Sequence, residues 1–437
     1  MARPSARPNR RRARRRRLAL GAAMAALSTV LVACGGGTDK TVLTWYINPD
    51  PDPPPDHEGP FGLEGIAERC STDEYDINLE ELPTAATEQR IQLMRRLAAN
   101  DSSIDLMSLD PVFTAEFAEA GYLAEFDQAV QDELSEGKLQ GALDSATWKG
   151  NLVVAPQWAN TQLLWYRTAV AEKAGLNMDE PVTWDQIIEA AEETDTKVSV
   201  QGQKYEGYVV WINALIQGAG GALVTDLEAG EDMNVTIDSP EGQRAAEVVE
   251  KLAGSSAKDP DLPVSNEGTA ESSFSGDSGG FMVNWTYIYL SYAEDLGDDL
   301  GWARYPRTVE GEPSKPPTGG IHIGVGAYSN NKDLAVEAAK CVTSTENQTI
   351  YATETGGMPT DEAAYDDERL RDLYPPEVLD LYRESVDEGG PRPATEYWAT
   401  IVNGILGKWH PQTGVSTDTP AETGPYLESV LRGDSLV

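Results

Sequence analysis

From Thr41 onward the sequence alternates short apolar runs with amphipathic ones, and that alternation leaves few folds open. Thr41-Val42-Leu43-Thr44-Trp45-Tyr46-Ile47 reads as a strand, and Phe61 to Cys70 as a short helix. Tyr75-Asp76-Ile77-Asn78-Leu79-Glu80 alternates apolar and polar, the period of a half-buried strand. Thr87 is placed to cap a helix from Glu88 to Ala99, whose Ile91, Met94, Leu97 and Ala98 share a face. Ile104 to Leu109 is an apolar strand and Phe113 to Ala120 a helix. Strand–helix–strand–helix–strand predicts an α/β fold with a parallel sheet covered on both faces. Lys149 to Pro156 reads as a further strand.

The pattern continues beyond a second set of signals. Gln162 to Tyr166 is strand-like, and Trp184 to Glu193 and Ala245 to Leu252 are helical. Phe281 to Trp285 and Ile321 to Ala327 are strands, Lys332 to Val342 is a helix, and Pro375 to Trp409 is mostly helical. At 437 residues, two or more domains are expected. The acidic stretches Asp366 to Asp372 and Glu384 to Glu388 read as solvated helix faces.

The beginning of the chain is of another kind. Arg10 to Arg17 contains seven arginines, and Leu18 to Ala33 runs without a charge. A basic stretch, a short apolar stretch and small residues before a cleavage point make residues 1–33 a secretory signal. The apolar run is too short for a comfortable membrane span. Leu31-Val32-Ala33-Cys34 resembles the bacterial lipobox, which implies lipidation at Cys34 and a tether over residues 34–41. Acyl chains then hold the protein at the outer face of the cytoplasmic membrane.

Charge and composition exclude several functions. Nine of the 34 basic residues lie in the first 33, leaving 25 against 72 acids. Such a chain repels nucleic acid and anionic lipid. His57, His322 and His410 are far apart in sequence and no two cysteines are close, so neither a metal site nor a cofactor is expected. Export places Cys70 and Cys341 in an oxidising compartment, which leaves a Cys70–Cys341 disulfide or two buried thiols. Gly276-Asp277-Ser278-Gly279-Gly280 matches Gly-x-Ser-x-Gly, but it leads into a strand where a nucleophile elbow needs a helix, and a serine triad would need a histidine partner. With 72 acids, a chance pair of carboxylates carries no weight for glycoside hydrolysis. The expectation is a binding protein, not an enzyme.

Several segments together resemble a family. The lipobox, the strand–helix series, Thr87-Glu88-Gln89-Arg90 and Ile104 to Pro111 are similar to the extracellular solute-binding proteins of ATP-driven sugar importers. So are Pro156-Gln157-Trp158-Ala159-Asn160-Thr161-Gln162, Pro181-Val182-Thr183-Trp184-Asp185, Gly279 to Trp285, Gly319 to Val325 and Asn330 to Ala335. Within that family, Ala67 to Cys70, Ala115 to Tyr122 and Pro391-Arg392-Pro393 most resemble the actinobacterial trehalose-binding lipoproteins. Three departures stand out. No acidic residue follows Asn213, Ile321 occupies a position where an aromatic is common, and the loop Asn48 to Pro60 is rich in Asp and Pro.

The resemblance implies a two-lobe periplasmic-binding-protein fold with hinge strands and an inter-lobe ligand cleft. It divides the chain into lobe 1, 42–155 plus about 322–368, and lobe 2, 156–321 plus about 369–437. It implies a small-molecule sugar ligand, an ABC permease as partner, membrane attachment by the lipid alone, and a monomer. A sugar offers apolar C–H faces and many hydroxyls, so its site needs aromatic platforms and planar groups that hold two hydroxyls at once. Asp110 ends a strand where such a cleft forms; it either accepts hydroxyls or caps the following helix. The resemblance points to Gln89, Asn160, Glu267 and Arg392 as ligand contacts and to Trp285 as a stacking platform. Competing readings are a solvated first turn for Gln89, a turn for Asn160, a surface ion pair for Arg392 and a core position for Trp285. Asn48, Gly320, Gly357 and Tyr397 are further candidates, with a turn, a hinge glycine or core packing as alternatives.

Overall fold

The computed structural model describes residues 40–55 and 57–436. The proposed signal segment and Cys34 lie outside the described residues. A nine-stranded mixed sheet organises the chain: β1 (Thr41–Ile47), β2 (Tyr75–Glu81), β3 (Leu106–Leu109), β4 (Ala155–Arg167), β5 (Lys197–Ser199), β6 (Gly279–Trp285), β7 (Leu300–Ala303), β8 (Thr318–Val325) and β9 (Met358–Pro359). The order is β2-β1-β3-β8-β4-β6-β5, and β7 and β9 also pair with β4.

The first three strands follow the expectation. β1 runs parallel to β2, from Thr41 opposite Tyr75 to Ile47 opposite Glu81, and parallel to β3. Helices α1 (Gly62–Cys70) and α2 (Ala86–Ala98) make the crossovers. All four residues of β3 are buried, whereas edge strand β2 buries only alternate side chains, as flanked and edge positions require. Beyond β3 the sheet is mixed: β8 is antiparallel to both β3 and β4, β4 is antiparallel to β6, and β6 is parallel to β5.

Strand β4 makes two lobes from one sheet. Its first half, to Thr161, pairs with β8, while from Gln162 onward it pairs with β6 and then β7. One 13-residue strand thus belongs to both halves. We call the side of β1, β2, β3 and β8 the first lobe, and the side of β5, β6 and β7 the second. The second lobe is built around α3 (Trp184–Thr194) and α4 (Glu206–Gly218). Thr183 and Gln186 close a capping box: Gln186 Oε1 accepts from the Thr183 N–H at 2.8 Å, and Thr183 Oγ1 from the Gln186 N–H at 3.2 Å. Trp184 is thereby set against Trp211 and Tyr305, with ring centroids 5.4 and 5.7 Å away.

Two local expectations are corrected. The Lys149–Pro156 run is not one strand: Thr147–Trp148 and Asn151–Leu152 form a hairpin, and β4 begins only at Ala155. Lys149 and Gly150 both take positive φ at its tip, so the chain reverses where the sequence read as extended. Thr87 does not cap α2, which starts at Ala86 after an Ala85 with no side-chain cap.

Cys70, the last residue of α1, is bonded to Cys341 of α5 (Lys332–Val342), 271 positions away. Asn347 sits on the bridge: its Nδ2 donates to the Cys341 carbonyl at 2.8 Å, and its Oδ1 accepts from Arg69 Nε at 2.9 Å.

Candidate functional site

Asp110 follows β3 directly. Its Oδ1 accepts from the Val112 N–H at 3.1 Å, so it caps the turn Pro111–Phe113. The same carboxylate takes both terminal nitrogens of Arg392, Nη2 to Oδ1 at 2.7 Å and Nη1 to Oδ2 at 3.3 Å. Asp110 is therefore a cap and an ion-pair partner at once. Arg392 comes from the C-terminal part of the chain, and its side chain is 5% exposed.

Its other partner was not foreseen. Glu206 opens α4, and its Oε1 accepts from Arg392 Nη1 at 3.0 Å and from Trp398 Nε1 at 3.1 Å. Burial raises the Glu206 pKa and the neighbouring Asp110 adds to this, while Arg392 opposes both. Burial alone would lower the Arg392 pKa, but the carboxylates of Asp110 and Glu206 outweigh it and keep the guanidinium charged. One cation is thus shared between an acid at the end of a first-lobe strand and an acid at the start of a second-lobe helix. The same helix holds the Arg392 backbone: Asn213 Nδ2 and Gln217 Nε2 both donate to the Pro391 carbonyl, at 3.3 and 2.9 Å. Glu206, Asn213 and Gln217 lie seven and then four residues apart, on one face of the helix. That polar stripe in an otherwise buried helix was the available signal.

A second group lies at the β4 crossing. Asn160 faces Gly319 across the β4–β8 pair. A Cβ on Gly319 would stand 2.6 Å from Asn160 Oδ1 and 3.3 Å from Cζ3 of Trp285, so the glycine leaves room between amide and indole. Trp285 ends β6 and is half-buried, with a face not committed to the core. Gly320 has a φ of +133°, and a Cβ there would come 2.2 Å from the Trp158 carbonyl oxygen; only glycine fits. Gly357 is likewise required, because a Cβ would meet the Tyr351 ring at 2.5 Å and Trp158 at 3.3 Å. Asn48 follows β1. Its Oδ1 and that of Asn160 are buried, and neither has a hydrogen-bond partner among the described residues.

Beside Asn48, Asp50 accepts from the Leu63 N–H at 2.6 Å and from the Tyr351 hydroxyl at 2.9 Å. Tyr351 stacks on Trp158 with centroids 5.9 Å apart. Burial is the main reason the Asp50 pKa rises to about 6. The acidic loop after β1 is thus tied to the wall that carries Trp158.

Glu267 opens the helix Glu267–Ser275, which precedes β6 in the chain and packs on β5 and β6. It makes no ion pair among the described residues, and its charge helps to raise the pKa of Tyr205 and of Tyr287, both of which burial raises first. Two candidates stand apart. Gln89 is 7% exposed and donates from Nε2 to the Pro83 carbonyl at 2.8 Å, so its amide is engaged with its own loop. Tyr397 precedes the helix Trp398–Trp409, and its ring lies over Gly230 of another loop. An open groove of about 760 Å³, lined by Gln140, Asp144, Lys149 and Glu228 among others, contains none of these residues.

A mixed sheet is thus shared between two lobes, and Arg392 joins an acid from each. The family can then be stated. Residues 71–349 match the bacterial extracellular solute-binding protein family, and the chain belongs to it. A probable ABC transporter-binding protein of Deinococcus radiodurans is 23% identical over 73% of this chain and 76% of its own. The diacetylchitobiose binding protein DasA of Streptomyces coelicolor is 22% identical over 96% of this chain and 95% of its own. Among solved structures, maltose-bound MalE3 of T. maritima superposes with a TM-score of 0.76 at 22% identity, covering 90% of this chain and 100% of that one. The GacH receptor of Streptomyces glaucescens GLA.O gives 0.73 at 22% identity, with 90% and 99% covered.

The protein is therefore an exported solute receptor and not an enzyme. The Gly276–Gly280 motif takes its place as a turn. The Gly279 N–H bonds the Gly276 carbonyl at 3.1 Å, and Gly279 starts β6 against Phe274, whose carbonyl oxygen a Cβ would meet at 1.9 Å.

Proposed function

We propose that this chain is the substrate-binding lipoprotein of an ATP-driven sugar importer. It captures a disaccharide, trehalose or a related α-glucoside, by hinge closure and delivers it to a membrane permease. The observation that carries the sugar reading is the unpartnered amide oxygen of Asn160 beside the half-buried indole of Trp285 at Gly319, with a second unpartnered amide oxygen on Asn48. Neutral acceptors beside an aromatic face suit a ligand with hydroxyls on its edges and C–H groups on its faces. Arg392 is already neutralised by Asp110 and Glu206, so it offers little to an anionic ligand and more to a hydroxyl pair. Relatives named for maltose and for diacetylchitobiose support a sugar of two rings or more.

Closure follows from geometry. A ligand held by Asn48 and Asp110 from the first lobe and by Trp285 and Glu267 from the second is fully held only when the lobes meet, so it stabilises the closed form. Residues 42–155 with about 322–368 form one lobe of this reading, and 156–321 with about 369–437 the other. Removal of residues 1–33 and lipidation of Cys34 anchor the receptor as a monomer, with 34–41 as tether. Calorimetry against a panel of mono- and disaccharides tests the assignment. Saturable trehalose binding without turnover is the expected result, and binding of peptides but of no sugar would overturn it.

A further inference from the structure

Strand β4 carries Trp158, Asn160 and Gln162 on one face, because side chains two apart point to the same side. Across the sheet Trp158 faces Ile321, Asn160 faces Gly319 and Gln162 faces Trp285. Each carries a buried polar atom without a hydrogen-bond partner among the described residues: Trp158 Nε1, Asn160 Oδ1 and Gln162 Oε1. A buried polar atom left unmet costs about 1–3 kcal/mol, and such atoms are rare in folded proteins. Three such atoms lie in a row along a single strand face.

The character of each group is fixed. An indole N–H can only donate. Gln162 is 1% exposed and could in principle present either end of its amide. A relay decides which: Gln201 Nε2 donates to the Val283 carbonyl at 3.0 Å, which turns Gln201 Oε1 toward Gln162 Nε2 at 3.1 Å. Gln162 Oε1 is therefore the free end, an acceptor. The strip reads donor at Trp158, acceptor at Asn160 and acceptor at Gln162. At the usual rise of a strand, its ends are about 13 Å apart, longer than one pyranose ring.

We propose that Trp158, Asn160 and Gln162 form a hydrogen-bonding strip that reads a ligand of at least two linked rings lying along the crossing strand, with Gln201 as the positioning residue for Gln162. One ring lies at Trp285 and Gln162. The next extends past Gly319 to Trp158, whose N–H meets an acceptor oxygen of that second ring. The inference rests on the sugar-receptor reading and adds to it the residues that hold the second ring and the direction in which the sugar lies.

The test is calorimetry of the full protein with glucose, trehalose, maltose and maltotriose, on the wild type and on Trp158→Phe, Gln162→Leu, Gln201→Leu and the double Leu variant, with a thermal melt of each. Trp158→Phe should weaken whichever two- and three-ring sugars the wild type binds by about ten-fold or more, the value of one good hydrogen bond, and leave glucose and the melting temperature unchanged. Gln201→Leu should lose as much affinity as Gln162→Leu, and the double variant no more than either, which a merely structural role would not produce. Equal affinity of wild type and Trp158→Phe for every sugar overturns the strip alone. A loss as large for glucose as for the longer sugars does the same. A wild type that binds none of the four sugars overturns the α-glucoside reading with it.

Discussion

Arg392 reaches Asp110 with two guanidinium nitrogens, at 2.7 and 3.3 Å, and so ties a C-terminal segment docked on the second lobe to the end of a first-lobe strand. Both side chains are largely buried, 5% and 18% exposed. A buried pair contributes little net stability against an apolar alternative, but removing one partner strands the other charge. Arg392→Ala leaves Asp110 and Glu206 facing each other without a cation, and is expected to cost on the order of 3–5 kcal/mol in urea unfolding. Asp110→Asn keeps an acceptor for Val112 and should cost less than Asp110→Ala, in stability and in sugar affinity alike. The reverse order would mean that neither the cap nor the acceptor geometry matters at this position.

Trp285 makes a separate prediction, because its ring faces the space beside Gly319 and not the core. Trp285→Ala should weaken sugar binding by about 1–3 kcal/mol, the usual loss for an aromatic anchor, with little change in unfolding midpoint. Calorimetry and a denaturation curve on the same sample separate the two effects. Unchanged affinity would remove Trp285 from the site.

Much of this arrangement was legible in the sequence, and the illegible parts have a common cause. The helix from Trp184 was legible because its signals are local, and the capping box that starts it spans only Thr183 to Gln186. Asp110 was recognisable because the end of an apolar strand is also local. Glu206 was not, since its role depends on Arg392, 186 positions later. No acid follows Asn213, and Glu206 stands two helical turns before it on the same face. The engagement of Gln89 was not legible for a related reason: the Pro83 carbonyl that holds its amide belongs to a loop whose path the sequence does not state. The sheet was legible through β3 and then lost its parallel sense, because β4 pairs with β8, a partner more than 150 residues away.

The Cys70–Cys341 bridge closes a loop of 271 positions between α1 and α5. Constraint of so long a loop in the unfolded chain is worth about 5–6 kcal/mol by loop-closure entropy. Cys70→Ser with Cys341→Ser should lower the unfolding free energy by an amount in that range and leave sugar affinity close to wild type, since neither cysteine is among the cleft residues. Thiol titration of the unfolded, unreduced protein should find neither Cys70 nor Cys341 free.

His322 gives the pH dependence a sign. It lies in β8, 1% exposed, with Nε2 3.0 Å from Ser145 Oγ and Nδ1 without a partner among the described residues. Burial depresses its pKa from 6.5 to about 3. Between those values the unfolded chain takes up a proton that the folded chain refuses, so stability is lost as the pH falls, by about 1.4 kcal/mol per pH unit from this residue. Asp50 acts in the opposite sense: with its pKa raised from 3.8 to about 6, the folded chain keeps a proton that the unfolded chain gives up, and stability is lost as the pH rises through that window. The net curve mixes the two, but a difference between variants does not. His322→Gln stays neutral at every pH and leaves Asp50 in place. Urea unfolding at pH 7, 6, 5 and 4 should therefore show the wild type losing stability relative to His322→Gln at each step below about pH 6.5. Parallel curves would mean that His322 is protonated in the folded protein, and that its burial is relieved by a group not seen among its neighbours.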